Sequence, residues 1–217
     1  MTTITPHSDV RIDGLWASSP QPLPFAPKLA VRAFLLERPA GNLLVYSTGN
    51  LPVDAAAIRA RGGATRQFLN HWHEALWGVA PAALGARLVH HAADAAEVAE
   101  RGARGVSFSH RFRLDDDFEA IPIPGHTPGA TAYLWDSGEH RLLFTGDSVY
   151  LSDGEWVDGL LDSSDREAYL ASLALIRDLD FDVLVPWAAS IGQAFASVVT
   201  PAERRARIDA LIQRLSG

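Results

Sequence analysis

Two short segments carry the side-chain types from which a metal site is made. Gly125-His126-Thr127-Pro128-Gly129 is bounded by glycines and follows an apolar run, so it forms a tight loop that presents His126 at a strand end. Thr145-Gly146-Asp147-Ser148 closes the next strand but one, where the Asp147 carboxylate can reach the same cation. Either segment alone is a weak signal, but the pair, one hairpin apart, is specific. Other chemistries lack their residues. There is no cysteine, which excludes thiolate nucleophiles, disulfides and cysteine metal ligands. There is no G-x-S-x-G elbow, no phosphate-binding glycine loop and no dinucleotide fingerprint. The run Asp115-Asp116-Asp117 lacks the spacing of a calcium loop and reads as a solvated turn.

The elements that must position these residues come in hairpin groups, each followed by helices. Ser18 to Pro27 holds four prolines and reads as a loop or extended arm. Leu29–Glu37 and Asn42–Ser47 are strand-like runs joined at Pro39-Ala40-Gly41, and 54–61 reads as a helix. Arg66–Asn70 and Arg87–His90 read as strands, with helices expected over His73–Leu84 and Ala92–Arg101. Phe118–Ile123, Thr131–Trp135 and Arg141–Thr145 are further strands, the last two paired around Ser137-Gly138. Ser164 and Glu167 are spaced as a capping box for a helix to Leu179, followed by a buried strand at Asp182–Val185. Thr200, Pro201 and Glu203 open a last helix whose apolar face is Ile208, Leu211, Ile212 and Leu215. This is not a strict β-α-β-α alternation, and a layered sandwich of two central sheets with helices outside fits better.

Bulk properties narrow the class. The 217 residues form a single expected domain, 1–217, with 47% apolar and 21% charged residues, as in an ordinary globular protein. No apolar run has the length of a membrane span, and the polar start lacks the pattern of a secretory signal, so a cytoplasmic location is expected. The net charge of −7 argues against a nucleic-acid footprint. The arginines at 204, 205, 207 and 214 read as a solvated helix face.

The paired segments resemble the second half of the metallo-β-lactamase superfamily, and the resemblance runs from the first hairpin to the strand at Asp182–Val185. It implies a four-layer αβ/βα sandwich, with two central mixed sheets, flanking helices and metals at one edge. The family's first-half motif, H-x-H-x-D-H, is matched in part by His71-Trp72-His73-Glu74-Ala75-Leu76. By resemblance, His71, His73 and His126 correspond to the ligands of a first metal, and Asp147 to the carboxylate that bridges two. The second metal's other ligands are replaced by Ala75, Leu76 and, in Pro186-Trp187-Ala188-Ala189, by Ala188. A divalent cation there would lack charge compensation, so no second metal is expected. Ser47 stands where the family commonly has an aspartate that supports the site.

Three imidazoles and a carboxylate suit zinc, and also iron or manganese. The leading expectation is a hydrolase with one divalent metal, zinc foremost. It would act on a small-molecule ester, thioester or lactone, with Asp147 orienting the attacking water. One alternative is a non-haem iron oxygenase like the superfamily's persulfide dioxygenases, using His71, His126 and Asp147. The other is a metal-free scaffold in which the four residues are relics. Glu74 becomes a proton acceptor if it turns inward, but at a helix start it is expected to face solvent. Trp72, Trp77 and Trp187 are expected in core packing, near the altered positions. His90 and His91 are left outside the site, and His7, His110 and His140 are read as surface residues.

Overall fold

The computed structural model describes residues 12–79 and 84–217; His7 lies outside them. The first half of the chain forms β1 (Leu15–Ala17), β2 (Gln21–Leu23), β3 (Ala26–Val31), β4 (Phe34–Leu36), β5 (Leu43–Val45), α1 (Leu51–Ala60), β6 (Arg66–Phe68), β7 (Arg87–His91), α2 (Ala95–Glu100) and β8 (Val106–Phe108). The second half forms β9 (Phe112–Arg113), β10 (Phe118–Pro122), β11 (Thr131–Asp136), β12 (Arg141–Gly146), β13 (Val149–Ser152), β14 (Glu155–Asp158), α3 (Arg166–Asp178), β15 (Val183–Pro186), β16 (Ala188–Ser190), β17 (Ser197–Val198) and α4 (Pro201–Ser216).

Two mixed sheets face one another, ordered β1-β4-β5-β6-β7-β8 and β17-β15-β12-β11-β10-β9. Period-two alternation decides what each strand buries. Leu142 and Phe144 of β12, Tyr133 and Trp135 of β11, and Val183 and Val185 of β15 point into the core between the sheets. Their alternates Leu143, Leu134 and Leu184 point outward, onto Leu173 and Ile176 of α3 and Ile208 and Leu211 of α4. Aromatic pairs join the sheets across the core, with Phe68 against Phe118 at 4.9 Å and Tyr133 at 5.2 Å between ring centroids. This is the expected αβ/βα sandwich. A smaller third sheet, β14-β13-β16-β3-β2, continues past the second one. Here β12 and β15 are parallel neighbours, and the chain runs on from each into β13 and β16, which pair in parallel through Leu151 and Ala189.

Several elements differ from the sequence reading. The run Leu29–Glu37 is two strands in different sheets, broken at Arg32 and Ala33. There the backbone leaves the ladder because Trp187 O accepts from Arg32 N and Ser18 Oγ accepts from Ala33 N. The proline-rich arm contributes β2 and the start of β3, an edge hairpin where the missing proline N–H is tolerated. Residues 72–77 form a 3-10 helix rather than the start of a longer α-helix. Asp165, not Ser164, caps α3, its side chain accepting from Ala168 N at 3.0 Å. The cap of α4 is as expected, with Thr200 and Glu203 in a reciprocal box.

The acidic run is not simply solvated: buried Arg38 pairs with Asp117, and with Asp115 at 2.7 Å. Arg204 is buried as well, donating to Phe181 O with its guanidinium over the Phe181 ring, whereas Arg205 and Arg214 are exposed. His110 is exposed, but His140 is partly buried in a 2.7 Å pair with Asp182. No helix among the described residues is long and apolar enough to cross a membrane.

Candidate metal centre

Parallel pairing puts the chemistry at one edge. The strands β5, β6 and β7 run in parallel, so their C-terminal ends open together and deliver Tyr46-Ser47, Asn70-His71 and the segment to Asp94. In the facing sheet β10, β12 and β15 share a direction and deliver the loop to His126, then Asp147, then Trp187. His71, His73, His126 and Asp147 therefore converge, with one ligand atom of each lying within 4.8 Å of all the others.

Hydrogen bonds on the outer side of the His71 and His126 rings set which nitrogen faces the cluster. His71 Nδ1 lies 2.9 Å from Asn70 Oδ1 and 3.5 Å from Glu74 Oε1, so it carries the proton and leaves Nε2 facing inward. His126 Nδ1 donates to Gly159 O at 2.7 Å, which likewise turns Nε2 inward. His73 presents Nδ1, 3.1 Å from His126 Nε2. Asp147 Oδ2 is 3.5 Å from His71 Nε2 and 3.9 Å from His126 Nε2. Two buried atoms of the cluster, His71 Nε2 and Asp147 Oδ1, have no hydrogen-bond partner. Buried polar atoms without partners are costly, and a cation in the middle of the cluster satisfies both. The donor set fits one divalent metal.

The protonation balance of the cluster matches its crowding. Burial lowers His73 to about 3 and His126 to about 4, both also disfavoured by positive charge on His71. Burial acts the same way on His71, but the carboxylates of Asp147 and Glu74 outweigh it and raise the ring to about 9. Burial pushes the Asp147 carboxyl up, and the three imidazoles more than reverse this. Without a cation, then, a proton in the cluster is favoured on His71, between the carboxylates of Asp147 and Glu74.

Glu74 is fully buried, which corrects the expectation that it faces solvent. Its Oε1 accepts from Asn70 N at 2.8 Å and more weakly from His71 N at 3.4 Å, while Oε2 accepts from Ser47 N at 2.8 Å. A carboxylate therefore does support the site beside Ser47, supplied from inside the motif. Asp94, which the sequence reading passed over, is also buried and joins the two halves of the site. It accepts from Trp72 N at 3.0 Å, Thr127 Oγ1 at 2.8 Å and Gly129 N at 2.7 Å. Ser164, displaced as a cap, donates to His126 O at 3.1 Å. Gly146 sits at φ +58 with Asn70 Oδ1 1.9 Å from where a Cβ would stand, so the turn into Asp147 admits only glycine.

The other half of the expected binuclear site offers no donors. Ala75 and Ala188 are buried, and Leu76 is exposed at the mouth of a cleft. Trp187 packs edge-on against His71, with ring centroids 5.3 Å apart, and its Nε1 donates to Ser47 O at 2.9 Å. Trp77 lines the cleft, and Trp72 lies under Arg101 at 4.0 Å. His90 and His91 stay outside the cluster. The cleft, about 460 Å³, has His73, His126 and Asp147 among its lining residues and leads to apolar walls that include Leu23, Leu29 and Trp77.

A family profile described as the metallo-beta-lactamase superfamily matches residues 55–188. No match is found among curated protein sequences. Among solved structures, the chain is similar to the mono-zinc form of metallo-β-lactamase FIM-1 from Pseudomonas aeruginosa, with 17% identity, 95% of this chain and 94% of that one covered, and a TM-score of 0.70. It is similar to the superfamily protein ST1585 from Sulfolobus tokodaii at 17% identity, with coverage of 94% and 87% and a TM-score of 0.63. It is also similar to ETHE1 from Myxococcus xanthus at 19% identity, with coverage of 86% and 85% and a TM-score of 0.59. At these identities the structural likeness concerns the fold alone, while the profile covers more than half of the chain and both motif segments. The chain belongs to the metallo-β-lactamase superfamily.

Proposed function

We propose that this protein is a one-metal hydrolase that opens an ester, thioester or lactone in the cleft beside His73, His126 and Asp147. The observation that carries this reading is the convergence of His71, His73, His126 and Asp147, each imidazole presenting one ring nitrogen inward. These four residues would hold the metal, zinc foremost, which when bound supplies Lewis acidity toward a carbonyl oxygen and acidifies water. The mono-zinc form of FIM-1, on the same fold, supports a one-zinc site.

The chain's own residues have separable tasks. Asn70 and Glu74 hold His71 from behind, Gly159 holds His126, and Asp94 ties the loops of both to one another. Asp147 orients the attacking water and accepts its proton. Water adds at the acyl carbon, the C–O or C–S bond breaks, and the leaving group departs with the proton. The third imidazole, His73, stands within 3.1 Å of His126, which favours this reading over a two-histidine, one-carboxylate iron centre.

The test is turnover of a panel of aryl esters, thioesters and lactones by zinc-loaded protein, beside a His126→Ala control. Turnover of at least one class by the parent and none by the variant is expected. A zinc-loaded parent that turns over no member of the panel overturns the reading.

A further inference from the structure

Three of the large apolar side chains that the fold leaves exposed stand together at the mouth of the cleft. Phe25 is 81% exposed, Leu76 60% and Leu161 43%, and they come from the β2–β3 turn, the 3-10 helix and the segment after β14. Exposed apolar side chains are ordinary when scattered, but a group of them rimming a concave site marks a surface that meets an apolar ligand. Below the rim, Leu29, Trp77 and Trp187 continue the apolar wall down to the metal ligands.

The charges around the cleft are one-sided. Its charged side chains other than imidazoles are Asp147 and Asp158, and no lysine or arginine lines it among the described residues. Asp158 is already paired with Arg214 at 2.6 Å, a residue outside the lining. The chain's one lysine, Lys28, is exposed and also stands outside it. A carboxylate buried against these walls, at the rim and away from the metal ligands, would lose water and meet no cationic side chain among the described residues. An uncharged chain or ring would lose only apolar surface to water.

We propose that the cleft selects substrates whose acyl group is uncharged and apolar, a medium aliphatic chain or an aryl group, and rejects analogues carrying a second carboxylate on that group. This rests on the hydrolase reading for the word substrate, but the selection is a property of the cleft and can be tested without turnover. The probes are a matched pair of unreactive amides, N-phenylhexanamide and the same molecule ending in a carboxylate at the sixth carbon. Binding is followed by the fluorescence of the protein, since Trp77 and Trp187 line the cleft. The protein is used both metal-free and zinc-loaded.

The neutral amide is expected to bind at least tenfold more tightly than the carboxylate analogue in both forms. Shortening the acyl chain should weaken it by about three- to fourfold per methylene. Leu76→Lys, a change at an exposed position, should shrink the preference or reverse it. Equal binding of the pair, or tighter binding of the carboxylate, overturns the proposal. So does a preference that Leu76→Lys leaves untouched. If the zinc-loaded protein hydrolyses nothing yet discriminates between the amides, the hydrolase reading fails and the selectivity of the cleft stands.

Discussion

The side of the site that keeps its ligands and the side that has lost them are both built from His71-Trp72-His73-Glu74-Ala75-Leu76, yet they differ in how their neighbours treat them. Behind His71 and His73 stand two buried carboxylates: Glu74 takes backbone N–H groups from Ser47 and Asn70, and Asp94 takes Trp72 N and two groups of the Thr127–Gly129 turn. On the other side Ala75 is buried in apolar packing with Leu69 and Val98, Ala188 lies in the core with Trp187, and Leu76 opens onto an apolar cleft. What separates the two sides is therefore not only the ligand atoms. The retained side has a polar shell that fixes ring orientation, and the vacated side has been rebuilt as apolar surface.

The largest expected effect comes from removing the residue that ties the retained side together. Asp94→Ala leaves three donors without their acceptor in a buried place and should cost roughly 3–5 kcal/mol of stability, read as a lowered denaturation midpoint. Unchanged stability would mean that the two loops hold one another without it. Glu74→Gln comes next. It sets an amide NH2 against backbone N–H donors, and should cost about 1–3 kcal/mol and weaken cation affinity about 10–100-fold in a chelator competition. Full affinity in a folded Glu74→Gln protein would reduce the buried carboxylate to a loop cap. On the vacated side the expected effects are small. Leu76→His alone should leave the metal content at one equivalent, because a single donor beside apolar neighbours cannot hold a cation. Combining Ala75→Asp, Leu76→His and Ala188→His should raise it above one. A triple variant that still binds one equivalent would show that Trp187, rather than the missing donors, keeps the second position closed.

The retained ligands were legible in sequence because each lies in a local motif at a strand end, where glycine and proline fix the turn. The sandwich was legible because β11, β12 and β15 alternate their apolar residues with period two between one core and the other. What stayed hidden was decided by tertiary contacts. Glu74 follows a histidine at a helix start, an ordinary place for a solvent-facing carboxylate, and only the approach of Ser47 and Asn70 turns it inward. Asp94 carries no motif; its partners lie 22 to 35 residues away. The break at Arg32 and Ala33 is invisible in an apolar run because the acceptors that replace the ladder belong to Trp187 and Ser18. Arg204 read as one of a cluster of exposed arginines, and it is buried because Phe181 offers both a carbonyl and a ring face.

The account turns on how many cations the site holds, and elemental analysis of the purified protein after zinc loading and desalting measures that directly, with His126→Ala beside it. One equivalent in the parent, falling to near none in the variant, is the predicted result. Two equivalents, or none in a folded and zinc-challenged parent, would contradict the one-metal site.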